Sequence, residues 1–121
     1  MAQLTRDGSD AVITLSAFEK IEGLLDSTRI PLAHVTAVEV VEDIQKQVSG
    51  WGRDFKIAGR YVPGATAVGT FRNGEDGGIT LALVHPGTPR GLRLELSGEP
   101  YRRVVVGLPD PEATRAAVFG D

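Results

Sequence analysis

The sequence of 121 residues contains no cysteine, which excludes disulfides, thiolate metal sites and thiol catalysis. No apolar run approaches the ~20 residues of a membrane-spanning helix, and residues 1–7 lack the apolar core of a signal peptide. We therefore expect a cytoplasmic protein. Basic residues are not in excess either, since 13 Lys and Arg face 16 Asp and Glu. This balance argues against nucleic acid as a partner.

Sequence motifs of catalysis and phosphate binding are also missing. The chain has no Gly-x-Ser-x-Gly or Ser-x-x-Lys nucleophile and no phosphate-binding glycine loop. The two histidines, His34 and His85, fall in a turn and at a strand end, where we expect them to face solvent. The carboxylate pairs Glu42-Asp43 and Glu75-Asp76 are adjacent residues, which point to opposite faces of an extended chain. We therefore predict a non-enzymatic protein with no cofactor and no metal.

Hydrophobic and polar residues alternate in several short segments, which is typical of half-buried strands. The clearest is Leu92–Leu96, where three leucines alternate with Arg93 and Glu95. Turn residues such as Asn73-Gly74 and Pro86-Gly87 separate the later segments. Hairpin-length spacing predicts that the last four strands form an antiparallel meander. The predicted strands are 11–16, 35–42, 65–72, 79–85, 92–96 and 101–106.

Three segments carry signals of a helix start, where a side chain accepts backbone N–H groups that lack partners. Ser16 and Glu19 are spaced as a capping box. Asp110 precedes Pro111, which suits the first helical position. The sequence therefore predicts helical segments over about 16–25, in one turn capped by Asp43, and over 111–119.

The order of these elements, and short stretches of sequence within them, resemble small actinobacterial pleckstrin-homology-like proteins of uncharacterised role. The matching stretches are Ile30-Pro31-Leu32, Val62-Pro63-Gly64, Val68–Arg72, Leu92–Leu96, Pro100-Tyr101, Val104–Val106 and Pro109–Ala113. The resemblance implies a single domain over 10–119 behind an N-terminal tail over 1–9. It further implies a mainly β fold, a partly open antiparallel β-barrel of two orthogonal sheets with one C-terminal helix. It supplies no catalytic or ligand-binding residues.

Positive charge and aromatic side chains coincide in one part of the chain. Residues 46–72 carry a net charge of +4, whereas residues 1–45 carry −5. Aromatic and arginine side chains are typical of binding hot spots. The segment 50–62 is rich in glycine and is predicted to be an irregular loop. The candidate binding residues are therefore Trp51, Arg53, Phe55, Lys56, Arg60, Tyr61 and Arg72.

These residues suggest a non-enzymatic interaction module that binds a protein segment or associates with a second copy of itself. An unpaired sheet edge near the loop would favour self-association, because open edges recruit strands. The alternative is a peripheral module attracted to anionic lipid headgroups through residues 46–72. A purely structural interpretation also stands, in which Phe55, Ile57 and Tyr61 cover the mouth of the barrel.

Overall fold

A computed structural model describes residues 2–16, 28–48, 56–62, 65–72 and 78–120. Within these ranges the chain is mainly β, with two sheets and a C-terminal helix, α1 (Pro111–Phe119). The first sheet is antiparallel and contains, in spatial order, β1 (Gln3–Asp7), β2 (Asp10–Thr14) and β3 (Thr28–Pro31).

The second sheet has six strands in the spatial order β4-β8-β9-β7-β6-β5. In the described part of the chain its outer strands, β4 and β5, do not pair with the first sheet, so the two sheets do not close into a barrel. The strands are β4 (Val35–Val41), β5 (Lys56–Val62), β6 (Thr66–Arg72), β7 (Ile79–Val84), β8 (Gly91–Leu96) and β9 (Arg103–Gly107).

The strand order follows from how many faces of each strand are apolar. Val104, Val105 and Val106 of β9 alternate between the two faces of the sheet, and each is at most 1% exposed. A strand that is apolar on both faces must be covered on both, so it lies inside the sheet. β8 alternates leucines with Arg93 and Glu95, and it lies next to β9 on the outer side.

This order corrects the predicted antiparallel meander. β7 does not pair with β8, because β9 lies between them. Leu81 of β7 is opposite Val104 in a parallel register, while Leu94 of β8 is opposite the same residue in an antiparallel one. Segment 85–90 connects β7 to β8 across one intervening strand, a step of about 10 Å. Turn spacing alone predicted neighbours and gave no sign that a later strand would insert.

Each face of the six-stranded sheet supports its own hydrophobic cluster. The larger cluster, here called the shared core, contains residues from both sheets and from α1. The smaller cluster lies on the opposite face, where a short 3-10 helix, Ile44–Gln47, folds over the sheet. Ile44 and Val48 pack there with Phe71 and Val105. The sheet is therefore buried on both sides over its central strands.

Residues 56–62, predicted as part of an irregular loop, instead form the edge strand β5. Gly59 lies opposite Gly69 of β6. A Cβ atom on Gly59 would come within 2.2 Å of the Val68 carbonyl oxygen. Gly59, one of the glycines that indicated a loop, is thus required where two strand backbones approach closely.

Other predictions have mixed outcomes. Residues 3–7, assigned to a tail, form β1; Leu4 is its one buried side chain, so its alternation is weak. The helix predicted over 16–25 falls almost entirely outside the described residues. Asp43 precedes a helical turn as expected, but its side chain makes no capping hydrogen bond. The strands predicted at 35–42, 65–72, 79–85 and 92–96 agree with β4, β6, β7 and β8.

Helix α1 forms where the sequence predicts it. The Asp110 carboxylate accepts a hydrogen bond from the Ala113 N–H at 3.1 Å, and Gly120 ends the helix with φ +74°. Val118 is buried in the shared core and Phe119 packs against its margin. The helix contacts β1, β4 and β8, so it covers the end of the shared core where the two sheets meet. Among the described residues, no helix has the length and apolarity needed to cross a membrane.

Leu94 tests the register of β8. Its side chain is fully buried in the shared core, opposite Val38 and Val104. Leu94→Ala should lower the free energy of unfolding by ~2–5 kcal/mol, because it leaves a cavity. Val62→Ala, at a side chain 37% exposed, is the control and should change it by less than ~0.5 kcal/mol. Urea unfolding measures both, and a near-neutral Leu94→Ala would show the register to be wrong.

Asp110 tests the start of α1. Asp110→Ala should cost ~1 kcal/mol of stability, because it removes the acceptor for the Ala113 N–H. Asp110→Ser keeps a capping oxygen and should recover most of that loss. Thermal unfolding of the three proteins decides the point. Equal losses for the alanine and serine variants would contradict a capping role.

Candidate functional site

Three of the seven predicted binding residues, Trp51, Arg53 and Phe55, lie outside the described part of the chain. The contact surface expected from them therefore stays a prediction. Lys56 is the first residue of β5, at the outer edge of the six-stranded sheet.

The other three predicted residues do not form one patch. Arg60 and Tyr61 are neighbours in β5 and point to opposite faces of the sheet. Tyr61 packs edge to face on Phe71, with ring centroids 6.0 Å apart, and its hydroxyl donates to the Val48 carbonyl oxygen at 3.2 Å. Arg72 is exposed at the far end of β6. Tyr61 thus holds the turn after β4 against the sheet, while the two arginines lie apart from it.

The outer edge of β5 has no paired strand among the described residues. An unpaired sheet edge of this kind would favour self-association, because it can recruit a strand from a second copy. However, Lys56 and Arg60 place two positive charges on this short strand. Charged residues on an edge strand are a common protection against strand pairing. The composition of β5 therefore disfavours pairing between two copies.

His34 is partly exposed, as expected, but it also makes a side-chain contact that the sequence did not predict. Its Nδ1 atom lies 2.5 Å from Oε2 of Glu99, and the two side chains are 41% and 17% exposed. Its backbone carbonyl accepts the N–H of Ser97. His34 belongs to a 3-10 helix, Leu32–His34, that joins β3 to β4. These bonds fix the start of β4 to the turn between β8 and β9.

Four of the nine arginines in the described ranges connect one element to another. Arg29 bonds to Asp7 and Asp10, Arg93 to Glu39 and Gln47, and Arg103 to Glu95. Arg90 bridges Glu42, after β4, and Glu112, in the first turn of α1. The hydrogen bond from Arg90 lowers the pKa of the Glu112 carboxyl, and the two carboxylates raise the pKa of Arg90. This bridge holds the start of α1 against the sheet.

The Arg90 bridge gives stability a dependence on pH. The Arg90 hydrogen bond makes the pKa of Glu112 lower in the folded protein than in the unfolded chain. The bridge therefore contributes its full stabilisation above the pKa of Glu112 in the unfolded chain, about 4.3, and this stabilisation is lost as pH falls through the pKa of the folded state. Glu112→Gln should therefore reduce the loss of stability on acidification below about pH 5. Urea midpoints at low salt measure the effect, and Arg90→Gln should reduce it similarly. An unchanged acid dependence in both variants would contradict the bridge.

A groove of about 350 Å³ lies between β4 and α1. Leu32, Val35 and Val38 form the strand side, and Arg115 and Phe119 form the helix side. Arg115 and Phe119 are four residues apart, so they share one face of the helix. The four apolar side chains also pack on the shared core. The groove is therefore an opening at the margin of that core.

The strand beside this groove, β4, is an edge strand. Among the described residues it pairs only with β8. Thr36 and Ala37, which line the groove, are exposed and lie at an irregularity in the pairing between Val35 and Ala37. The outer backbone groups of β4 thus have no strand partner in the described ranges. An edge of this kind can accept an extended peptide as an added strand.

Arg115 differs from the other arginines of the described ranges. It is half-buried at the groove, and within those ranges its guanidinium makes no hydrogen bond or ion pair. The groove therefore contains a positive charge without a partner in the part of the protein that the structure describes.

The described residues contain no cluster of side chains that could hold a metal ion. In these ranges no three His, Asp or Glu side chains converge on one point. The β4–α1 groove was not predicted, because neither the edge position of β4 nor the unpaired guanidinium of Arg115 can be read from the sequence. The groove is one of several openings of about 300–350 Å³ in the described part of the chain. The protein matches no family model, no curated protein and no solved structure.

Proposed function

We propose that this protein is a non-enzymatic interaction module that binds an extended segment of a partner protein in the groove between β4 and α1. The observation that carries the proposal is the coincidence of an open strand edge with an apolar groove beside it. In strand addition, the edge supplies main-chain hydrogen bonds and the groove receives alternate side chains of the peptide. One surface thus offers both parts of that binding mode.

The β4 edge supports this function better than the β5 edge supports self-association. Thr36 and Ala37 of β4 are exposed and uncharged, whereas β5 carries Lys56 and Arg60. Leu32, Val35 and Phe119 line the groove beside β4 and can contact apolar side chains of a ligand. We therefore place the binding surface on β4.

A pleckstrin-homology-like, partly open barrel is the architecture proposed for this module. A core shared by two sheets, and a terminal helix over the end where they meet, support it. The parallel pairing of β7 with β9 departs from the antiparallel pattern that the resemblance implied.

The proposal is tested with peptides selected from a random nonamer library displayed on phage. Selected peptides should bind the parent protein and lose at least ~tenfold in affinity for Ala37→Trp, which places an indole at the groove. Ala117→Trp is the matched control, because Ala117 is exposed on α1 and does not line the groove. Fluorescence anisotropy measures each affinity. Equal affinities for the two variants, or a failure to select any peptide, would contradict the proposal.

Two further measurements separate the other hypotheses. Sedimentation velocity of the parent protein alone tests self-association. Co-sedimentation with vesicles of phosphatidylserine and phosphatidylcholine tests headgroup binding, which should weaken with salt if it rests on solvated charges. A monomer that binds selected peptides and ignores vesicles supports the proposal. Vesicle binding without peptide binding would favour the alternative based on residues 46–72.

A further inference from the structure

The surroundings of Arg115 indicate what kind of ligand the groove takes. A guanidinium carries five N–H donors and stays charged in proteins. Arg115 is partly removed from water, yet none of its donors has a partner among the described residues. Four other arginines there pair with carboxylates of the protein itself. This arginine remains available to a group from outside.

Among the residues that the structure describes, no Asp or Glu lines the groove. The side chains around Arg115 include Leu32, Val35, Val38 and Phe119, which are apolar. A bound peptide would exclude water from these surfaces, and a charge-assisted hydrogen bond is stronger in such an environment. The groove therefore combines one positive charge with an apolar lining that favours its pairing with an anionic group.

We infer that the groove selects extended segments that place a carboxylate against Arg115, either from an Asp or Glu side chain or from the C-terminus of the segment. The inference rests on the function proposed above and adds the chemistry of the ligand. A carboxylate matches the fork of a guanidinium in a bidentate pair. Recognition of phosphorylated segments generally uses clusters of arginines, and the described lining of this groove contains Arg115 alone. A carboxylate is therefore the anion that this site fits.

The test uses the tightest nonamer from the phage selection in three synthetic forms. The first form keeps its acidic side chain and has an amidated C-terminus. In the second form the acidic residue is replaced by Asn or Gln, and the C-terminus is still amidated. The third form has the same sequence as the second but a free C-terminal carboxylate. The first form should bind the parent about tenfold more tightly than the second, the range expected for a hydrogen bond between charged groups. Recovery of affinity by the third form would show that a C-terminal carboxylate serves equally.

Arg115→Gln should abolish the difference between the acidic and neutral forms without weakening the neutral one. It should also unfold at the same urea concentration as the parent, because the Arg115 guanidinium makes no hydrogen bond or ion pair within the described fold. Arg60→Gln is the matched control, since it removes one positive charge from the exposed β5 edge. Its preference for the acidic form should equal that of the parent.

The outcomes distinguish this inference from the proposed function. If peptides bind and Ala37→Trp blocks them, but acidic and neutral forms bind equally, the inference is wrong and the proposed function stands. The inference is also wrong if Arg115→Gln keeps the preference, or if a phosphoserine form binds the parent far more tightly than the acidic form. If no nonamer binds at all, the proposed function fails and the inference fails with it.

Discussion

Strand β9 is covered on both faces, with Val104 and Val106 in the shared core and Val105 in the smaller cluster. A strand with this pattern needs protein on both faces and a neighbour on each edge. β7 and β8 occupy its two sides, although β8 precedes β9 in the sequence and β7 precedes β8. The amphipathic β4, which pairs with β8, is thereby placed at the margin of the sheet.

The same constraint produces the groove. Helix α1 begins shortly after β9 ends, so it starts at the centre of the sheet and passes over the end of the shared core. The Asp110 cap and the bridge from Arg90 to Glu112 fix its first turn. Its later residues, Arg115 and Phe119, then lie across from β4. The unpaired edge of β4, which could otherwise pair with another chain, thus lies beside apolar side chains and the Arg115 guanidinium.

Local pattern predicted most of the individual elements. Alternation identified β4 and β8, the turn residues identified β6 and β7, and the Asp110-Pro111 pair identified α1. β1 was missed because Leu4 is its one buried side chain, and β5 because Gly59 was interpreted as a loop residue. The predicted meander is wrong because the spacing between turns does not show that β9, with its run of valines apolar on both faces, lies between β7 and β8.

The candidate site was harder to predict, because it depends on contacts between distant parts of the sequence. Composition predicted a binding surface around Trp51 and Tyr61, but the Tyr61 side chain makes its contacts within the fold, with Phe71 and the Val48 carbonyl oxygen. The sequence contains ten arginines, and nothing local distinguishes Arg115 from those that bind carboxylates. That Arg115 has no partner is apparent only in the fold, where Glu42 and Glu112 pair with Arg90 and Glu95 pairs with Arg103.

Cross-strand nuclear Overhauser effects in the isotope-labelled protein test the strand order most directly. Backbone contacts should join Leu81 to Val104 and Ala82 to Val105 in a parallel register, and Leu94 to Val104 in an antiparallel one. That result would place β9 between β7 and β8 and β4 at the edge beside α1. Contacts that join β7 directly to β8, with none between β7 and β9, would contradict the strand order and remove the structural basis of the groove.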